Sequence, residues 1–193
     1  MAKKAGKLEA YGFTSSIPDG KTPGDVVDDI ARQPGVRFVA RFAGDFLVFA
    51  AVEHSSFEDL QRAVTEPYWE AGLRTEWAVQ TKVSQINGPK RGSPDYCAIV
   101  RARALADPND ALDALDARFE GPSNEDPAHE RFWYGAAVVA GRWDLLIDLG
   151  ARSHEELSKI VRKDLKTVEG IELGPAARAY LPNNAKRPGA PSG

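Results

Sequence analysis

This 193-residue chain has little of what metal and redox sites usually need: one cysteine, one methionine and three histidines. A lone cysteine, Cys97, excludes an internal disulfide and any cysteine-based metal centre, and it reads as a small buried apolar residue in mid-strand. The histidines, His54, His129 and His154, share no close ligand spacing, so neither a metal nor a cofactor is expected. There is no excess of charge of one sign. Lys and Arg number 25 against 28 Asp and Glu, a net charge of −3, which gives no general attraction to a phosphate backbone, and no direct nucleic-acid partner is expected. No apolar run approaches a membrane span, and the basic start MAKKAGKLEAYGF lacks the apolar core of a signal peptide. The expected compartment is the cytoplasm, with no membrane partner. Gly-rich phosphate loops, a nucleophile elbow and a Cys/His triad are also missing.

What the chain does have is internal repetition. Ala43-Gly44 matches Ala140-Gly141, 97 positions on. In that register Phe46 falls on Trp143, Val48 on Leu145, Ala50 on Ile147 and Val52 on Leu149. Ser56 then falls on Ser153, Leu60 on Leu157 and Val64 on Val161, so an alternating strand and the amphipathic helix after it both recur. The front of each unit repeats at an offset of 85, with Tyr11 on Tyr96 and Thr22-Pro23 on Asp107-Pro108. The difference is an insertion over 120–131, EGPSNEDPAHER, whose Gly, Pro and acidic content predicts a solvated loop.

Periodicity and turn chemistry predict the same β-α-β-β-α-β order in each unit. In the first, strands are expected over 10–17, 36–42, 46–53 and 75–83. Its helices are expected from Thr22-Pro23 to about 33, and from Ser56 to just short of Pro67. In the second, strands are expected over 96–102, 132–139 and 142–149, and helices over 108–119 and 154–168. A short strand of uncertain length follows Gly170, next to a helix-like stretch at 176–180. The expected organisation is an arm over 1–9, a unit over 10–86, a linker over 87–95, a unit over 96–180 and a tail over 181–193.

Such an order is the ferredoxin-like arrangement, with both helices on one sheet face. The alternation around Phe46 to Val52 is apolar on both sides, so the uncovered face needs a partner sheet. The expected fold is therefore α+β: two tandem ferredoxin-like units packed sheet to sheet as a dimeric α/β-barrel-like pseudodimer.

The run Val139-Ala140-Gly141-Arg142-Trp143-Asp144-Leu145-Leu146, with Ser153 to Leu157 and then Val168-Glu169-Gly170-Ile171, resembles the effector-binding (RAM) domain of the Lrp/AsnC transcription regulators. The likeness covers about 75 residues, from Tyr96 to Ile171, and is weaker in the first unit, where Leu47 stands in place of the Asp. Family members carry an N-terminal helix-turn-helix, and here only a short arm precedes the first strand. The resemblance implies a protein that pairs and assembles further, so a homo-oligomer is expected. It also implies a small ligand such as an amino acid, bound near the Gly-x-aromatic-Asp turn.

The candidate ligand-binding residues are accordingly Gly141, Arg142, Trp143, Asp144 and Asp148. Asp144 and Asp148, placed on one strand, would share a face and could hold an amine or act as a base; the alternative is salt bridges to Arg101, Arg103 or Arg142. Phe132, Trp133, Tyr134 and Trp143 are expected to pack across one hairpin. The leading functional reading is a ligand-sensing regulator without a DNA-binding domain, rather than an enzyme. The second is an enzyme of the dimeric α/β-barrel type, monooxygenase-like or haem-handling, since those proteins share the fold and the motif spacing. The third is a partner-binding assembly module.

Overall fold

The computed structural model describes residues 7–83, 94–119, 132–181 and 185–186. The insertion with His129, most of the 87–95 linker and most of the tail lie outside them. The protein is mixed α+β and divides into two compact units, residues 1–80 with 183–193, and residues 81–182. No described helix is long and apolar enough to cross a membrane.

The first unit runs β1 (Leu8–Ser16), α1 (Pro23–Ala31), β2 (Val36–Arg41), a two-residue β3 (Ala43–Gly44), β4 (Val48–His54), α2 (Phe57–Glu70) and β5 (Arg74–Val83), with β10 (Ala185–Lys186) at its edge. The strands are ordered β10-β2-β4-β1-β5 and each neighbouring pair is antiparallel. Thr22 caps α1 in a capping box with Asp25, and Pro23 takes the first helical turn, where its missing N–H costs nothing. Val26, Val27 and Ile30 are the buried stripe. They pack with Val48, Ala50, Val52, Leu60 and Tyr68 against one sheet face. The other face carries Phe13, Phe46 and Phe49, ring centroids 5.3 to 6.3 Å apart, and all three are buried.

Helix α2 does not stop before Pro67, as expected, but runs three residues past it. Proline there removes one helical hydrogen bond. Burial of Tyr68, whose ring meets Trp77 edge-on at 4.8 Å, offsets that loss. The helix then ends at Gly72, whose φ of +68° suits glycine.

The second unit runs β6 (Tyr96–Ala104), α3 (Pro108–Phe119), β7 (Phe132–Ala140), β8 (Leu145–Ala151), α4 (His154–Lys159) and β9 (Ile171–Tyr180), in the sheet order β7-β8-β6-β9. Strand β8 repeats β4 at the expected offset of 97, and α3 starts 85 positions after α1. The first strands align differently. Val48 faces Thr14 and Leu145 faces Ala102, so β1 and β6 correspond at an offset of 88, and Tyr11 does not match Tyr96. The second unit has a strand-to-helix connection three residues shorter.

Three further expectations are corrected. Strand β8 begins at Leu145, not Arg142, because Asp144 is held in the preceding turn. The helix expected over 154–168 changes pitch: after Lys159 it widens to a π turn over Ile160–Asp164 and tightens to a 3-10 turn over Leu165–Thr167. The wide turn lets Ile160 and Leu165, five apart, both face the sheet. Residues 176–180 are not helical. They are the second half of β9, paired along β6 as far as Tyr180 against Tyr96.

Candidate functional site

The β7–β8 turn, Gly141 to Asp144, is built from its backbone outward. Val139 N–H donates to Asp144 O, Asp144 N–H donates to Ala102 O at 3.1 Å, and the Asp144 carboxylate accepts from Ala104 N–H at 3.1 Å. Asp144 is thus a turn-fixing residue rather than a strand partner of Asp148, and it forms no salt bridge with the neighbouring arginines. Fixing the turn presents the Trp143 side chain to β9. A Cβ on Gly174 would lie 2.5 Å from the indole ring and 2.8 Å from Arg101 O, so glycine is required for this close approach.

Three guanidinium groups surround the same ring. Arg101 and Arg103, from β6, lie 5.4 Å from its centroid, and Arg142, from the turn, lies at 5.8 Å. Arg101 is buried at 5% exposure, whereas Arg103 and Arg142 are exposed. Burial, and then the charge of Arg142, lowers the Arg101 pKa from its ordinary value. The guanidinium stays protonated even so. Among the described residues Arg103 and Arg142 have no ion pair. The indole Nε1 of Trp143 is buried with no hydrogen-bond partner. A concentrated positive charge and an unused N–H donor at one ring form a place for an anionic oxygen.

The remaining expected site residues fall as follows. Gly141 and Arg142 are exposed in the turn, and Asp148 is exposed on β8. Asp148 faces Ile99 across the strands, and its charge adds to burial in pushing the Cys97 thiol up. The expected aromatic cluster is divided. Tyr134 lies in the core, stacked on Phe119 at 4.9 Å and donating to Asp116 Oδ1 at 2.7 Å, whereas Trp143 belongs to the arginine group. Sequence reading reaches the turn but takes Arg101 and Arg103 only as salt-bridge partners and misses Gly174. The signal for Arg101 is the repeat itself, once β1 and β6 are set 88 apart.

A concavity of about 410 Å³ lies between the ends of α1 and α2 in the first unit, with Asp29, Arg32, Glu66, Tyr68 and Glu70 among its lining. Its carboxylates and the carbonyl ends of two helices disfavour an anion.

No protein-family model matches the sequence, and no curated protein matches it significantly. Solved structures resemble the fold. An anthrone oxidase-like protein aligns with a TM-score of 0.59 at 14% identity, over 95% of this chain and 94% of that one. A mutant chlorite dismutase from Candidatus Nitrospira defluvii aligns at 0.58 and 13%, over 92% and 93%. A heme-binding protein from Thermus thermophilus aligns at 0.51 and 11%, over 90% of both chains. The fold is that of the dimeric α/β-barrel proteins, which is consistent with a homo-oligomer.

These comparisons correct the leading functional reading. The expectation from sequence is an Lrp/AsnC-like regulator that binds an amino acid and is not an enzyme. The structures this chain resembles are instead named for enzymes and for haem binding.

Haem, the ligand in the name of one of these neighbours, does not fit the described residues. His154 is exposed with its ring edge-on to Tyr96 at 6.1 Å. The Nε2 of His54 is buried, but against Gly35, where a Cβ would lie 2.2 Å away, so the space is filled. In the second unit the layer between sheet and helices is occupied by Tyr134, Phe119, Leu145, Leu157 and Leu165. The first-unit cleft offers carboxylates where a haem would bring propionates of the same sign. No group of three or more potential metal ligands occurs among the described residues.

Proposed function

We propose that the chain is an oxidative enzyme of the dimeric α/β-barrel type, acting on a small enolisable aromatic ketone whose oxyanion is held at Trp143. The observation that carries this reading is the convergence of Arg101, Arg103 and Arg142 on one indole ring. The name of the anthrone oxidase-like neighbour supports the substrate class.

Removing a proton from a ring methylene conjugated to a carbonyl, as in anthrone, where the two face each other across the central ring, places negative charge on the carbonyl oxygen. A buried guanidinium stabilises that charge more than water does, because it is already in place and poorly screened. Arg101 takes this role, and Trp143 Nε1 donates a second bond to the same oxygen. Asp148 is the base. It lies on the Arg101 side of the sheet, one diagonal step along the strands. Molecular oxygen is the oxidant. The methylene becomes a carbonyl, one oxygen atom stays in the product and the other leaves as water with the two methylene hydrogens.

Oxygen uptake with anthrone tests the reading. One O2 per anthrone is expected above the uncatalysed rate, reduced about 10²-fold in Arg101→Gln. Uptake no faster than the protein-free control would overturn it. Haem added to the protein is expected to keep the spectrum of free haem; a ligated band would restore the haem-handling reading.

A further inference from the structure

We propose that the concavity between the ends of α1 and α2 binds a small aliphatic diammonium ion, with Glu66 and Glu70 as its counter-charges and the Tyr68 hydroxyl as an acceptor. This site belongs to the first unit and does not depend on the Trp143 reading. Its volume of about 410 Å³ suits a small organic molecule. Three carboxylates line it, Asp29, Glu66 and Glu70, against one guanidinium, Arg32. Asp29 is already paired with both Arg32 and Lys21. Glu66 and Glu70 form no ion pair among the described residues, so two negative charges are left over.

The placement of these two charges makes the excess costly. Glu66 and Glu70 are four apart on α2, roughly 5–6 Å between Cβ atoms, where like charges repel. Both sit in the last two turns of the helix, whose carbonyl end already carries partial negative charge. Neither α1 nor α2 has a basic residue in its last turn to offset that. Tyr68 is an independent sign of a ligand. It lines the same concavity at 3% exposure, and its hydroxyl is buried with no hydrogen-bond partner. A buried polar group is rarely left unpaired, because it forfeits a bond it would make in water. Burial pushes its pKa up, so it stays a neutral hydroxyl whose lone pairs can accept from an ammonium N–H. The cation is organic rather than a metal. No three potential metal ligands gather among the described residues, so these carboxylates do not converge on one ion. Ile30, Pro67 and Leu73, also in the lining, offer apolar surface to a methylene chain between two charged ends.

Calorimetric titration of the full chain with 1,4-diaminobutane and 1-aminobutane, ligands that differ by one ammonium group, tests this. The diamine is expected to bind at least tenfold tighter, with an affinity that falls as salt rises. In Glu66→Gln/Glu70→Gln the gap should close. Both residues are exposed, and a circular-dichroism melt checks that the variant is folded. Tyr68→Phe should bind the diamine at least threefold more weakly while melting no lower than the parent, because the hydroxyl it loses has no partner in the protein. A packing role alone for Tyr68 would leave the affinity unchanged. No diamine binding, equal affinities for the two amines, a gap that survives in the double variant, or an unchanged affinity in Tyr68→Phe would overturn the proposal. Mg2+ competing as well as the diamine would also overturn it, by showing a response to charge alone.

Discussion

Arg101 stands 5.4 Å from the centre of the Trp143 ring at the place where, in the first unit, Phe13 meets Phe46 edge-on at 5.3 Å. The strand registers make these positions equivalent, Thr14 opposite Val48 and Ala102 opposite Leu145. One copy of the repeat thus closes this corner with two aromatic rings, and the other sets a guanidinium group against an indole there. Replacing the second pair by the first, Arg101→Phe/Trp143→Phe, should leave a folded protein, since two rings already pack at this corner in the first unit, and a circular-dichroism melt checks it. Oxygen uptake with anthrone should be lost. A variant that keeps wild-type turnover would place the chemistry elsewhere.

Gly174 supports the same corner from β9. Its substitution by Ala puts a methyl group 2.5 Å from the Trp143 ring and 2.8 Å from a main-chain oxygen that cannot move aside. Overpacking of this kind costs about 1–3 kcal/mol. Chemical denaturation should show the midpoint falling with an unchanged slope, and anion affinity should fall with it because the indole is displaced. Gly170, where a Cβ would meet nothing within 4 Å, gives no such packing penalty.

The regular parts of this structure are legible in residue order, and the corner that matters is less so. Ser56 and Ser153 announce their helices by capping chemistry, and both accept from the N–H three residues on. Pro23 and Pro108 mark the other two helix starts. Pro67 misleads because the burial of Tyr68 is a tertiary effect invisible to a local rule. The β7–β8 turn reads as strand because Trp143 continues the alternation of Leu145, Ile147 and Leu149. Only its backbone bonds to Ala102 and Ala104 show that the chain has left the sheet there. Arg101 and Gly174 lie far from the turn in sequence and meet it only through the pairing of β6 with β8 and β9.

The two serine caps allow a comparison within one chain. Ser56 Oγ accepts from Asp59 N–H at 3.1 Å and donates to Asp59 Oδ2 at 2.7 Å, whereas for Ser153 the accepted bond from Glu156 N–H, at 3.2 Å, is the cap. Each serine-to-alanine change should cost about 1 kcal/mol. Ser56→Ala should cost the more, because it also removes the partner of a carboxylate. Urea unfolding of both variants measures the difference. Equal losses would show that the second bond, exposed to water, contributes nothing.

Glu9 makes stability depend on pH in the opposite direction from most carboxylates. Burial raises its pKa above 4.5, Arg37 pulls it down by less, and the Glu53 charge adds to the rise. The folded state therefore holds the Glu9 proton more tightly than the unfolded chain does. Its stabilising contribution is complete below the unfolded pKa and is lost as pH rises through the higher folded value. Glu9→Gln, which cannot ionise, should melt like the parent at about pH 4 and above it at pH 7, although it gives up the ion pair with Arg37 at 3.4 Å. That pair is half-exposed on the arginine side and is worth little. Melting curves of parent and variant across this range check the sign: a variant less stable than the parent at pH 7 would show that Arg37, not desolvation, governs Glu9.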